Sequence, residues 1–524
     1  MASSLDASTP NVSPSSDDAG VDGRVASDGS ATVGGRVMAL LEGLSRPSEI
    51  PRRCRVYANR NLQLDRVRVV GFDMDYTLAL YDQPRMEMLS IAATVDKLIG
   101  LRNYPESIRG LTYDARFGIR GLVIDRETGN ILKPDRYGSP GRAFHGRQPI
   151  DRALLNELYH KHRIRLSSER FAFIDTLFAL PEAVMYASLV EFFDARPEPR
   201  PAYARIWDDI RECIDLAHRD GAIKDIIVKD LPSYIERDPH LAEALHKMRS
   251  SGKKLFLLTN SAWDYTNPVM SYLLDGALDA YPGWRNYFDV VVVSAQKPGF
   301  FTDRRPFEEL DPAGRVVGVM GEEPFVRGKV YAGGNLRDFE ERAGARGDRV
   351  LFVGDHIYGD MLRSRKSSAW RTAMIIQELE HEVHVHDDLV GSIARLEELE
   401  RHLRHLDAEI DEKQHILRSL EKLSSVEAGR DDLTSAKRLA RDVVDRMRGE
   451  LRATMSEHAA LEFKLDDAFN VFWGPSFREG REVSKFGDQV EDYACVYTSR
   501  VSNFRFYSPM RHFRGPRDLM PHER

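Results

Sequence analysis

The chain has 524 residues, 42% of them apolar and 30% charged, and 75 Lys and Arg stand against 82 Asp and Glu for a net charge of −7. That length exceeds one simple core, and the charge argues against a nucleic-acid binder held mainly by phosphate attraction, while leaving room for a local basic pocket. Cys54, Cys213 and Cys495 are far apart and show no CxxC spacing, which argues against a disulfide framework or structural zinc and fits a reducing cytoplasm. No stretch approaches the roughly twenty apolar residues of a membrane helix. Residues 1–35 are rich in Ser, Asp, Gly and Ala, lack the apolar core of a signal peptide, and read as a disordered tail with little to bury. Val37 to Leu44 follows with Met38, Leu40, Leu41 and Leu44 spaced for one helical face.

Val67 to Phe72 reads as a buried strand that ends in Asp73-Met74-Asp75-Tyr76-Thr77. Ligands of open α/β sheets sit just beyond the carboxyl ends of the strands. Two carboxylates there make a hard-oxygen site suited to Mg2+, and one of them can attack phosphorus. Taken alone, the pattern also fits a solvated turn after a core strand. Arg85 to Leu101 has helical spacing, and residues 36–120 form the first part of a catalytic core. Leu122 to Asp125 and Ile131 to Lys133 read as a hairpin around a Gly129-Asn130 turn. About 180 residues separate this first motif from Thr259, far more than a loop needs, so residues 121–250 are assigned to an inserted cap. Within it, Leu177 to Phe193 and Tyr203 to Asp220 are helical, the second ended by Gly221.

From residue 251 to 385 strands alternate with helices in the doubly wound pattern. Lys254 to Leu258 ends in Thr259-Asn260-Ser261, Val290 to Val293 leads to Lys297, and Val350 to Val353 leads to Asp355 and Asp360. In order, the strand ends supply carboxylates, a hydroxyl, a lysine and carboxylates. Residues 386–468 form a helical arm. Leu396, Leu399, Leu403, Leu406, Ile410, Leu417 and Leu420 recur at three- and four-residue steps, broken by Lys413. Leu433 to Leu465 makes a second helix after a turn within Ser424 to Arg430. The pattern reads as an antiparallel hairpin, with a parallel coiled coil between subunits as the alternative. Residues 469–524 form an aromatic-rich segment that packs back on the core.

Four motifs in this order resemble the haloacid dehalogenase phosphohydrolase superfamily. FDMDYTLA, Arg120 to Gly138, LLTNSAWDYT, QKPGFF, VGDHIYGDMLRSRK, YTSRVSNFRFYSP and the final LMPHE look like the cytosolic purine 5'-nucleotidase family, from about Val56 to the C-terminus. The fold this implies is α/β, a doubly wound parallel sheet with an inserted cap and a C-terminal helical hairpin. The resemblance implies that Asp73 is the nucleophile of a phosphoaspartate route and Asp75 the general acid and then base. It gives Mg2+ to an Asp73 oxygen, the Asp75 carbonyl and Asp355, with Asp360 orienting a ligand or water. Thr259 and the backbone N–H groups of Asn260 and Ser261 would hold phosphate oxygens, and Lys297 would offset phosphate charge. In the cap, Arg211 and Asp215 would read the base edge, His218 would contact the base, Lys224 would approach the phosphate, and Phe178 would stack on the base. Arg219 stands where the family often has Tyr.

The same resemblance implies a homo-oligomer, a dimer or tetramer, with a regulatory nucleotide site. Arg165, Lys366, Gln489 and Tyr493 match that site, whereas Asp175 replaces an Asn and Asp492 an Arg. Two added carboxylates repel a polyphosphate, so allosteric activation is not carried over. The expected activity is Mg2+-dependent hydrolysis of purine nucleoside 5'-monophosphates, inosine and guanosine before adenosine, with nucleoside phosphotransfer as a second activity. Binding of nucleic acid or membrane is not expected. The alternatives are a phosphatase of the same superfamily acting on another metabolite and a nucleotide-sensing scaffold. The full set Asp73, Asp75, Thr259, Lys297, Asp355 and Asp360 argues against the scaffold.

Overall fold

The computed structural model describes residues 49–159, 164–197, 200–362, 368–426, 430–517 and 519–523. The expected 1–35 tail, the Val37 to Leu44 helix and Lys366 lie outside the described residues. No helix among the described residues is long and apolar enough to cross a membrane.

Residues from Pro51 onward build on a ten-stranded sheet. Its order is Tyr57–Ala58, Val496–Thr498, Arg371–Ile375, Val350–Gly354, Val69–Phe72, Lys254–Leu258, Val290–Val293, Val330–Gly333, Phe307–Leu310 and Val316–Val319. The strands from Val496–Thr498 to Val330–Gly333 run parallel, and the two ends are antiparallel. The interior strands are short and largely buried on both faces; all four valines of Val290–Val293 are covered. Such runs suit a parallel sheet with helices on each side. Packing explains Gly71 inside Val69–Phe72: a Cβ there would stand 2.0 Å from the ring of its cross-strand neighbour Phe256. The first motif strand begins at Val69, two residues later than its apolar run suggests. Arg68 instead donates its N–H to the Arg349 carbonyl in the entry loop.

The hairpin at Gly129 forms with that residue at φ +77°. It belongs to a five-stranded antiparallel sheet of Gln148–Pro149, Pro140–His145, Asn130–Pro134, Val123–Asp125 and Phe171–Phe173. Three helices cover the region beside it, Gln83–Arg102, Leu180–Asp194 and Tyr203–Arg219. The last ends with Asp220 as cap and Gly221 at φ +86°, the backbone expected just past a helix end.

Val390–Val426 and Asp431–Phe469 form the arm. Arg395 pairs with Glu457, His402 with Glu450, and Arg441 with Glu421. One partner's number falls as the other rises, so the two helices are antiparallel within one chain. The final segment is pinned by buried Lys133, whose Nζ donates to the carbonyls of Trp473, Pro475 and Arg478 at 2.7, 2.7 and 2.5 Å. It then inserts Val496–Thr498 into the main sheet.

Candidate active site

The parallel strands bring their carboxyl ends to one edge, and the four polar motifs meet there. Lys297 is the hub. Its Nζ lies 2.9 Å from Asp73 Oδ1 and 2.7 Å from Asp360 Oδ1. Carboxylate oxygens of Asp73, Asp355 and Asp360 lie within 4.8 Å of one another, and all three residues are buried. Two of the three carboxylates, Asp73 and Asp360, thus share one ammonium, and Asp355 stands beside them. Burial, then Asp360, Asp355 and Asp75, push the Asp73 carboxyl well up against the pull of Lys297. Burial and Asp360 push Asp355 up to about 7. Burial pulls the Lys297 ammonium down, but Asp360 and Asp73 outweigh it and keep it charged.

This donor set fits a hard divalent cation. Asp355 Oδ2 is buried and has no hydrogen-bond partner among the described residues, and an unpaired buried carboxylate oxygen is costly without a cation. Arg120 fixes the other end of that residue. It is 2% exposed, donates Nη1 to the Asp355 carbonyl at 3.0 Å, and pairs with both oxygens of Glu378. Arg120 opens a quoted motif, but nothing in the sequence ties it to Asp355.

Asp75 points elsewhere. Its Oδ2 accepts from Ser261 Oγ at 2.7 Å and its Oδ1 from Tyr81 OH at 2.5 Å; Tyr81 OH also lies 2.8 Å from Tyr265 OH. Burial raises both phenols, so they remain protonated donors. Neither tyrosine is assigned by the sequence, because the two lie on different elements, Leu80–Tyr81 and Trp263–Leu274, and meet only in the fold. Thr259 is buried, and its Oγ1 accepts the Ser261 N–H at 3.1 Å. That N–H, expected to face phosphate, therefore has an internal partner in this arrangement. Asn260 joins the second and third motifs: its side chain accepts from Lys297 N at 2.6 Å and donates to Lys297 O at 2.9 Å.

Above Asp75 and Ser261 opens a cleft of about 650 Å³ that is also lined by Asn260, Phe178, Arg211, Asp215, His218 and Lys224. The cap residues matched from the sequence thus face one space. Phe178 meets Tyr76 and His218 edge-on, with ring centres 4.7 and 5.6 Å away. Burial and then Lys224 lower His218 to about 4, so it is a neutral ring. Lys224 Nζ lies 3.3 Å from Ser261 Oγ and 4.9 Å from the centre of the Tyr265 ring. Arg211 Nη1 donates to both oxygens of Glu182 at 2.9 Å. Glu182 was missed, although one acid in the apolar run LPEAVMYASLV was a visible signal. Arg219 also lines the cleft and donates Nε to the Asp215 carbonyl.

Among the described residues, the regulatory positions Arg165, Asp175, Gln489, Asp492 and Tyr493 do not line this cleft. Asp175 pairs with His356 at 3.1 Å. Burial pulls His356 down, but the bond to Asp175 raises it to about 9. Asp175 is therefore a matched charge rather than a free one.

A parallel α/β sheet with carboxylates, Thr, Lys and carboxylates at successive strand ends defines the class, a phosphoric monoester hydrolase of the haloacid dehalogenase fold. Residues 56–524 match the model of the 5' nucleotidase family, and the chain belongs to that family. It is 30% identical over 478 residues to a 5'-nucleotidase domain-containing protein of Dictyostelium discoideum, covering 89% of this chain and 74% of that one. It is 32% identical over 475 residues to human 5'-nucleotidase domain-containing protein 2, covering 87% and 84%. Among solved structures, it is similar to L-2-haloacid dehalogenase from Xanthobacter autotrophicus, with 14% identity, 59% of this chain and 78% of that chain covered, and a TM-score of 0.19.

Proposed function

We propose that the protein hydrolyses purine nucleoside 5'-monophosphates to nucleoside and phosphate, with inosine and guanosine ahead of adenosine. The observation that carries the reading is the position of Asp73 against Lys297, next to a cleft whose wall bears Arg211 and Asp215. An Asp73 oxygen attacks phosphorus as the bond to the 5' oxygen breaks, and Asp75 gives that oxygen its proton. Water then attacks the acyl phosphate, Asp75 takes its proton, phosphate leaves and Asp73 is regenerated. A nucleoside hydroxyl in place of that water yields phosphotransfer. Lys297, Thr259, Asn260 and Ser261 hold the phosphoryl oxygens, and Lys224 approaches from the cap. Phe178 and His218 contact the base. Mg2+ held by Asp73, the Asp75 carbonyl and Asp355, with Asp360 beside them, would neutralise charge on the phosphoryl group.

Base preference follows from complementarity. The Arg211 guanidinium donates and the Asp215 carboxylate accepts, which suits an edge with a carbonyl beside an N–H. Hypoxanthine and guanine carry that edge; adenine carries an amino donor in place of the carbonyl. Three free cysteines support a cytoplasmic setting, and the family resemblance supports a homo-oligomer.

The test is a screen of purified protein against nucleoside monophosphates, with and without Mg2+. Chelation should silence the enzyme and Mg2+ should restore it. Full activity in EDTA, or in Asp73→Asn, would overturn the mechanism.

A further inference from the structure

Arg211 and Asp215 stand four residues apart on Tyr203–Arg219, a spacing at which opposite charges on one helix face pair with each other. They do not pair here. Arg211 Nη1 donates to Glu182 instead, at 2.9 Å to each oxygen. Among the described residues, no side chain donates to the Asp215 carboxylate, and no acceptor is bound to Arg211 Nη2 or Nε. All three residues line the same cleft. Glu182 is 4% exposed and sits on Leu180–Asp194, among buried Leu180, Ala183, Met185 and Tyr186. A buried acid in such surroundings costs folding free energy, and an ion pair there is weak evidence for a stabilising role. Burial pushes Glu182 up to about 7 against the pull of Arg211.

We propose that Glu182 is a positioning residue for base recognition, drawing Arg211 away from Asp215 so that both keep free hydrogen-bonding groups in the cleft. This rests on the purine monophosphate reading and deepens it. With Glu182 in place, guanidinium N–H donors and a carboxylate acceptor stand one helical turn apart, matched to the O6 and N1–H of a 6-oxopurine. Without it, Arg211 turns to Asp215, and the donor and the acceptor are consumed by each other. Glu182 therefore sets discrimination between 6-oxo and 6-amino purines without touching the base.

The experiment measures kcat and KM for inosine 5'-monophosphate, adenosine 5'-monophosphate and p-nitrophenyl phosphate in the full chain and in Glu182→Ala and Glu182→Gln. In Glu182→Ala, KM for the inosine nucleotide should rise about tenfold or more, the scale of one lost charged hydrogen bond. The inosine-to-adenosine ratio of kcat/KM should fall in step, with much smaller loss on p-nitrophenyl phosphate. Glu182→Gln keeps one acceptor oxygen for Arg211 and should fall between. If Glu182→Ala does not fold, the isosteric Glu182→Gln decides the matter by the same ratio. An unchanged inosine-to-adenosine ratio in the variants, or equal losses on all three substrates, overturns the role of Glu182 alone. A wild-type enzyme that cleaves p-nitrophenyl phosphate yet does not favour the inosine nucleotide overturns the purine reading itself, before any variant is made.

Discussion

At the scale of single residues, position and partner decide what a carboxyl group does. Asp73 and Asp75 are two residues apart, yet one faces Lys297 and the other faces Ser261 and Tyr81. Asp75→Asn should leave the fold intact and lower kcat by about 10²–10⁴-fold, the usual worth of general acid–base help; near-normal single-turnover rates would remove Asp75 from that role. Arg211→Ala and Asp215→Ala should each cost about 1–3 kcal/mol in kcat/KM for the inosine nucleotide and less for p-nitrophenyl phosphate. Glu87 offers a test of stability. It is 2% exposed, its Oε2 lacks a partner among the described residues, and burial raises it to about 7 from 4.5. As pH rises the unfolded state loses this proton first, so folding weakens between pH 4.5 and 7 and then levels off. Glu87→Gln should remove that loss, stabilising by up to about 3 kcal/mol above pH 7 and progressively less toward pH 5. Thermal melts at the two pH values check the sign.

At the scale of elements, the arm shows periodicity becoming packing. Leu399, Leu406 and Ile410 are buried, and Leu396, Leu403, Leu417 and Leu420 are half-buried. Val444 and Leu465 are buried on the second helix. The heptad spacing was legible in the sequence, but it could not say whether the opposing surface was the same chain, because the same seam serves either partner. The ion pairs across the arm answer that. Among the described residues, none of the arm lines the cleft. Leu406→Ala should therefore cost about 2 kcal/mol or more in stability and leave kcat per folded molecule unchanged. Loss of catalysis with stability intact would place the arm in the active site.

At the scale of the whole molecule, the chemistry lies near the middle of the sheet but depends on the chain's last part. Trp473 is fully buried and donates Nε1 to the Phe117 carbonyl at 2.7 Å. Phe486 lies under the Arg120 guanidinium, 4.9 Å from ring centre to charge, and Arg120 holds the Asp355 carbonyl. Val496–Thr498 covers the edge of Arg371–Ile375. Truncation after Asn470 should thus expose a sheet edge and unseat Arg120, giving an inactive chain that aggregates. A soluble, active truncation would refute this dependence.

The sequence by itself determined the four strand-end motifs, the alternation that makes the parallel sheet, the hairpin at Gly129 and the two arm helices. Each of these is written locally: apolar runs of strand length, turn glycines, leucines at helical spacing, and polar residues directly after a strand. The cap face Arg211, Asp215 and His218 was also local, but its orientation toward Asp75 and Ser261 came only with the fold. Tertiary structure alone decided the partners of these residues. Glu182 on Arg211, Arg120 on Asp355 and Asp175 on His356 join separate elements, and even Tyr81 on Asp75, six residues apart, meets its partner only through the turn between them. Spacing carries no record of such pairs, because a hydrogen bond depends on where two side chains end in space, and that position is set by the packing of the elements that carry them.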